Sequence, residues 1–264
     1  MKTKSLKIFL VEDNDSIIKM LSEMLLKNLP TCEILTFKSV ENALGKVNEN
    51  PDYIVLDHFL EKTNGIDCIP LFKEFIPNAK IIVTSSQNDI KTFESAFIYG
   101  ANEYFRKDAL FPINIVEFIK KDFEKDDENW LKSFFNNIKR KENIKRSKNL
   151  VYVLDDNKNT AFSIEHILQN ESLNEVYSFN HSKDFFAQLI SRKPDFVILD
   201  YNIEESISGE DVLKEVKLIS PDTKVIIFSG QTDVGTASNL LKLGAMLYLS
   251  KSNENMKKLK TIIN

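Results

Sequence analysis

Lys7-Ile8-Phe9-Leu10-Val11-Glu12-Asp13 decides the fold: a short, unbroken apolar run stops at two acids. A run this short, with no polar alternation, reads as a strand buried on both faces of a parallel sheet. Working outward, the same grammar recurs at Tyr53-Ile54-Val55-Leu56, which leads into Asp57, and at Ile81-Ile82-Val83, just before Ser85. Between the first two runs Ile17, Ile18, Met20, Leu21, Met24 and Leu25 repeat at spacings of three and four, the period of a helix face. Strands alternating with helices predict βαβ units, whose right-handed crossovers leave helices on both faces of the sheet.

The pattern then starts again. Leu150 to Leu154, Phe196 to Leu199 and Val225 to Phe228 repeat the strands, and Asp155-Asp156, Asp200, Ser229 and Lys251 echo Glu12-Asp13, Asp57, Ser85 and Lys107. Asp13 and Asp57 are 44 positions apart, as are Asp156 and Asp200; 22 positions separate serine from lysine in both copies. Only the step from aspartate to serine differs, 28 against 29, a one-residue slip in a loop. Such self-similarity fixes the architecture before any local motif does. Each copy reads as a doubly wound (βα)5 domain with a five-stranded parallel sheet, here bounded at 1–124 and 149–264. Pro51-Asp52 and Pro194-Asp195 introduce the central strands, and Gly100 and Gly244 suit the left-handed position that ends a helix.

A length of 264 residues accommodates two ordinary domains, and 42% hydrophobic with 28% charged residues is a soluble globular composition. The net charge of -4 gives no bulk attraction for nucleic acid, and no apolar stretch is long enough for a signal peptide or a bilayer span, so a cytoplasmic location is expected. Cys32 and Cys68, outside any CxxC or Cys/His cluster, read as free thiols. Between the copies, 125–148 is charged and lacks proline and glycine, while Trp130, Leu131, Phe134, Phe135 and Ile138 share one helix face. That predicts a helical connector whose apolar stripe packs on its own domains or, in a homodimer, on a second copy.

In an open parallel sheet, chemistry gathers at the carboxyl ends of the strands, and all five elements fall there in each copy. Glu12, Asp13 and Asp57 then converge, and like charges this close need neutralising. Mg²⁺ suits them, since it takes hard oxygen ligands and works with one or two carboxylates beside a phosphate. A carboxylate can also attack phosphorus to give an acyl phosphate. Lys107 and Lys251 offer a point charge to a transferred phosphoryl group, and Ser85 and Ser229 a hydroxyl. Taken singly, these are ordinary loop acids, capping serines and solvated lysines; repeated together at strand ends they point to a phosphorylation site.

With "FLVEDND", "YIVLDHFLEKTNG", "IIVTSS" and "GANEYFRK" in one half and "VYVLDDN", "FVILDYNIEESISG", "IIFSG" and "GAMLYLSK" in the other, the chain resembles the receiver domain of two-component response regulators, twice over. The resemblance implies a flavodoxin-like fold and a phosphoryl group accepted on Asp57 and Asp200 from a histidine kinase or histidine phosphotransfer protein. It implies Mg²⁺ bound by Asp13 and Asp156, with Glu12 and Asp155 acting through water and the main-chain carbonyls of Phe59 and Asn202 completing the set. Ser85 and Ser229 become switch hydroxyls, Lys107 and Lys251 the site lysines, and Tyr104 and Tyr248 the aromatics that answer the hydroxyl. The output is a changed protein–protein surface on a downstream target. Asp108 and Ser252 depart from the family, standing where proline usually follows the lysine.

His58, one of three histidines, follows Asp57 directly and by alternation points to the other side of the strand. None of the three looks like a phosphodonor, so a self-contained kinase is not expected. An aspartyl-nucleophile phosphohydrolase would carry a second acid two residues after the nucleophile; Phe59 and Asn202 stand there instead, so the expectation is a signalling protein, not an enzyme. A scaffold that binds partners without phosphorylation is the remaining alternative.

Overall fold

The computed structural model describes residues 6–123, 148–169, 174–204 and 207–263. The chain divides into two compact units, Met1–Asn143 and Ile144–Asn264. The expected connector over 125–148, with Trp130 and its stripe, lies outside the described residues except for Lys148.

In the first unit β1 (Lys7–Val11), α1 (Asp15–Asn28), β2 (Glu33–Phe37), α2 (Val40–Leu44), β3 (Tyr53–Asp57), α3 (Ile69–Phe75), β4 (Lys80–Ser85), α4 (Ile90–Ile98) and β5 (Glu103–Arg106) lead into α5, helical over 111–123. The sheet is parallel throughout, in the order β2-β1-β3-β4-β5. The second unit repeats it with β6 (Asn149–Leu154), α6 (Lys158–Gln169), β7 (Asn174–Phe179), α7 (Ser182–Ser191), β8 (Phe196–Leu199), α8 (Gly209–Ile219), β9 (Lys224–Ser229), α9 (Val234–Lys242), β10 (Leu247–Ser250) and α10 (Asn253–Ile263). Its order, β7-β6-β8-β9-β10, is the same, and every pairing is again parallel.

The two runs read first as buried strands, β1 and β3, occupy the sheet interior, with Ile8, Phe9, Leu10, Ile54 and Leu56 fully buried. Burying one such side chain stabilises by about 1.5–3 kcal/mol, which is why these runs choose the sheet centre. Leu21 and Leu25 of α1 pack with Ile8, Leu10, Val55 and Ile115 on one face. Asp52 and Asp195 play one part in both units: each carboxylate accepts an N–H near the start of its unit's first strand, Lys7 at 2.9 Å and Leu150 at 2.7 Å. Gly100 and Gly244 do end helices in the left-handed region, with φ of 108° and 103°.

Register matters most at one edge. Val11 lies opposite Leu56, Asp57 opposite Thr84, and Ser85 opposite Arg106, so β1, β3, β4 and β5 end together. Glu12, Asp13, Asp57, Ser85 and Lys107 all emerge from that edge. Each acceptor loop then folds into a tight hairpin, Phe59–Leu60 against Thr63–Asn64 and Asn202–Glu204 against Ile207–Ser208. The extra residue of the second copy sits in this hairpin, whose register shifts between Asn202 and Glu204.

Candidate functional site

In the first unit Lys107 Nζ lies 2.7 Å from Glu12 Oε2 and 2.8 Å from Asp57 Oδ1. In the second, Lys251 Nζ lies 2.9 Å from Asp155 Oδ2 and 2.6 Å from Asp200 Oδ2. One lysine thus bridges the acid just after the first strand and the acid at the carboxyl end of the central one. Asp13 and Asp156 sit toward solvent; Asp13 Oδ2 accepts the Glu61 N–H at 2.9 Å, tying the acceptor hairpin to the site. Within each set of three acids, ligand oxygens approach to within 4.8 Å of one another. A cavity of about 530 Å³, lined by Asp156, Tyr201, Asn202 and Glu204, opens beside the second set.

One lysine cannot neutralise this much negative charge. Burial pushes the Glu12 and Asp57 carboxyls up, against the opposing pull of Lys107, and burial likewise raises Asp155 against the pull of Lys251. Burial pulls both lysines down, but hydrogen bonds to two carboxylates together with their charge attraction outweigh it and leave them raised. The surplus is anionic, oxygen-rich and partly open, which fits a hard divalent cation.

A carboxyl raised above its unfolded value binds its proton more tightly when folded. Stability therefore grows as pH falls through the folded value, and the penalty is gone below the unfolded one, 3.8 for Asp57. Asp57→Asn is expected to raise the melting temperature of the metal-free protein at pH 7 by a few degrees, with the gain vanishing toward about pH 4. Melting curves across that range check it; a lower melting temperature for the variant at pH 7 would show the carboxylate to be net stabilising.

Ser85 and Ser229, both fully buried, accept the N–H of Gln87 at 3.1 Å and of Gln231 at 3.2 Å. The hydroxyls of Tyr104 and Tyr248 donate to the carbonyls of those same glutamines at 3.1 Å and 2.9 Å. Serine and tyrosine are thereby joined through the main chain two residues beyond the serine, a linkage the sequence did not disclose.

Alternation does turn His58 away from Asp57, but on that side it meets the neighbouring strand, with Nδ1 3.0 Å from Ser85 Oγ. The register that sets Asp57 opposite Thr84 makes His58 and Ser85 neighbours, and this was the available clue. Tyr201 takes the corresponding place in the second unit. Asp108 and Ser252, where the family usually has proline, bond to the main chain instead: Asp108 Oδ1 accepts the Leu110 N–H at 2.9 Å in the turn that leads into α5, and Ser252 Oγ caps α10 by accepting the Asn255 N–H at 3.1 Å. Gly65 and Gly209, also not singled out beforehand, press on the acceptors' own backbone. A Cβ at Gly65 would lie 2.0 Å from the Asp57 carbonyl oxygen, and one at Gly209 2.5 Å from that of Asp200.

Two parallel five-stranded α/β units, each with an acid cluster and a lysine at the strand ends, define the phosphoacceptor class of signalling domain. The family described as response regulator receiver domain matches residues 8–120 and 151–264, and the chain belongs to it as two receivers in tandem. Its members are signalling domains rather than enzymes. The chain is 30% identical over 102 residues to the photosynthetic apparatus regulatory protein RegA of Rhodobacter capsulatus, covering 39% of this chain and 55% of RegA. It is 34% identical over 65 residues to the acid tolerance regulatory protein ActR of Rhizobium meliloti, covering 25% of this chain and 33% of ActR. Among solved structures, the response regulator DrrB of Thermotoga maritima is 27% identical with a TM-score of 0.42, over 46% of this chain and 54% of DrrB. The chain spans about half, or less, of the length of the curated relatives it matches. No helix among the described residues is long and apolar enough to cross a membrane.

Proposed function

We propose that each receiver, bounded at 1–124 and 149–264, accepts a phosphoryl group on its central aspartate, Asp57 or Asp200, and uses it to switch protein–protein contacts. The observation that carries this reading is the duplicated lysine bridge between two buried carboxylates at the carboxyl edge of the sheet. The donor is a phosphohistidine on a histidine kinase or phosphotransfer protein. A carboxylate oxygen attacks phosphorus, the O–P bond forms as the P–N bond breaks, and the departing imidazole keeps its electron pair and is protonated.

Mg²⁺ fits as the cation: Asp13, Asp57 and the Phe59 carbonyl would hold it in the first receiver and Asp156, Asp200 and the Asn202 carbonyl in the second, with Glu12 and Asp155 acting through water. When bound, it supplies neutralisation of the carboxylates and of the incoming phosphoryl oxygens. The chain's own residues do the rest. Lys107 and Lys251 already touch the acceptor and are placed to follow its charge onto a phosphoryl oxygen. Ser85 and Ser229 offer the hydroxyl that registers phosphorylation. Tyr104 and Tyr248 feel any movement of that hydroxyl through Gln87 and Gln231, carrying it to the face formed by the last helices and strand. The added charge and acceptor oxygens supply the free energy of the shift.

Intact mass after incubation with a small-molecule phosphodonor tests the reading. Two Mg²⁺-dependent additions are expected on the wild type, one on Asp57→Asn and one on Asp200→Asn. No addition, beside a control receiver that labels, would favour a phosphorylation-independent scaffold.

A further inference from the structure

The two receivers differ at the residue after the acceptor, and the difference lands on the switch hydroxyl. Ser85 Oγ lies 3.0 Å from His58 Nδ1 and accepts the Gln87 N–H at 3.1 Å. His58 is 4% exposed and Ser85 is fully buried, so this contact is largely withdrawn from water. A serine hydroxyl carries a single proton. With the Gln87 N–H already directed at the oxygen, two acceptors stand near that proton: His58 Nδ1 at 3.0 Å and the Tyr104 hydroxyl, whose own proton goes to the Gln87 carbonyl. Were Nδ1 to donate instead, the oxygen would accept twice and its buried proton would be left with the Tyr104 hydroxyl, so in either tautomer the imidazole is bonded to the Ser85 hydroxyl, and the accepting tautomer gives that proton the partner seen at 3.0 Å. Ser229 accepts the Gln231 N–H, and Tyr201, at the position equivalent to His58, brings no ring nitrogen and lines the cavity beside Asp156.

We infer that His58 is a positioning residue that holds the Ser85 proton, so that the first receiver's hydroxyl must leave a bonded partner to reach a phosphoryl oxygen whereas the second receiver's need not. The inference rests on Asp57 and Asp200 being the acceptors. It makes the two receivers unequal: for the same phosphoryl group, the first is held back and the second answers more readily. His58 also touches Phe59, with ring centroids 3.9 Å apart and the planes tilted by 35°, which brings the imidazole against the acceptor hairpin.

The test uses the full chain carrying Asp200→Asn, so that the first site is read alone, with beryllofluoride and Mg²⁺ as the phosphoryl probe titrated by ¹⁹F NMR. His58→Phe keeps the ring and removes the acceptor nitrogen. It is expected to tighten beryllofluoride binding roughly three- to tenfold, the range of one net hydrogen bond no longer contested. Adding Ser85→Ala should erase the gain, because the effect runs through that hydroxyl; a merely structural role for His58 would survive the second substitution. His58→Tyr, which imports the second receiver's residue, provides the same comparison if the phenylalanine variant does not fold. Unchanged or weaker binding by both His58 variants, with the parent binding normally, overturns the clamp alone, as does a gain that persists without Ser85. A parent that fails to bind the probe, where a control receiver binds it, overturns the acceptor assignment and the clamp with it.

Discussion

Lys107→Ala is expected to destabilise the first receiver by about 3 kcal/mol at neutral pH without metal, the lower end of what removing one partner from a buried ion pair costs. The lysine, Glu12 and Asp57 side chains are 11%, 5% and 6% exposed, so water cannot replace the lost cation. The loss stays at the lower end because a stranded carboxyl can take a proton, its affinity for one being already raised by burial. Lys251→Ala should cost about half as much, since that lysine is 24% exposed and better screened. Calorimetry on the full chain would read the first as a fall of about 10–15 °C in one transition. Mg²⁺ should recover more stability in the Lys107 variant than in the wild type, because the ion then restores charge that the protein lacks. Equal stabilisation by Mg²⁺ in both proteins would show that the lysine and the metal do not share the carboxylates.

Gly65→Ala should be as damaging for a different reason. Gly65 has φ of -58°, ordinary helical backbone, so its requirement is space rather than conformation. A methyl group there would meet the Asp57 carbonyl oxygen at 2.0 Å and the Leu56 side chain at 3.2 Å. The clashing oxygen belongs to the last residue of β3, so either the hairpin lifts or the acceptor moves. A loss of about 3 kcal/mol is expected, at the upper end of overpacking, together with loss of labelling at Asp57 while Asp200 still labels. Gly230→Ala is the control, since a Cβ there meets nothing within 4 Å. Wild-type stability and labelling in the Gly65 variant would mean that the hairpin does not bear on Asp57.

The sequence disclosed what long-range burial dictates. Runs with no polar residue, such as Ile8 to Val11, can sit only in the sheet interior, and their ends carry the acids; once the repeat was seen, Asp57, Asp200, Lys107 and Lys251 followed. Edge strands were harder. No residue of β2 is fully buried, and Glu33 and Thr36 face solvent, so Glu33-Ile34-Leu35-Thr36-Phe37 offers no long apolar run to find. The His58 contact was hidden because it depends on register between strands: a shift of one residue between β3 and β4 would have paired His58 with Thr84 or Ser86 instead. Gly65 and Gly209 were in plain view within the quoted motifs, yet nothing local says that the chain returns eight or nine residues later to press on the acceptor's carbonyl. What Asp108 and Ser252 do in proline's place was not legible either, because each side chain's bond to a main-chain N–H two or three residues on depends on how the loop turns into the next helix.

Asp57 and Asp200 as the phosphoacceptors is the central claim, and reductive trapping reads it at residue level. The full chain is loaded with a small-molecule phosphodonor and Mg²⁺, treated with borohydride, which reduces an aspartyl phosphate to homoserine, and mapped by peptide mass spectrometry. Homoserine at 57 and at 200, absent without Mg²⁺, is the predicted result; phosphate retained on Ser85 or Ser229, or homoserine at any other aspartate, would contradict it.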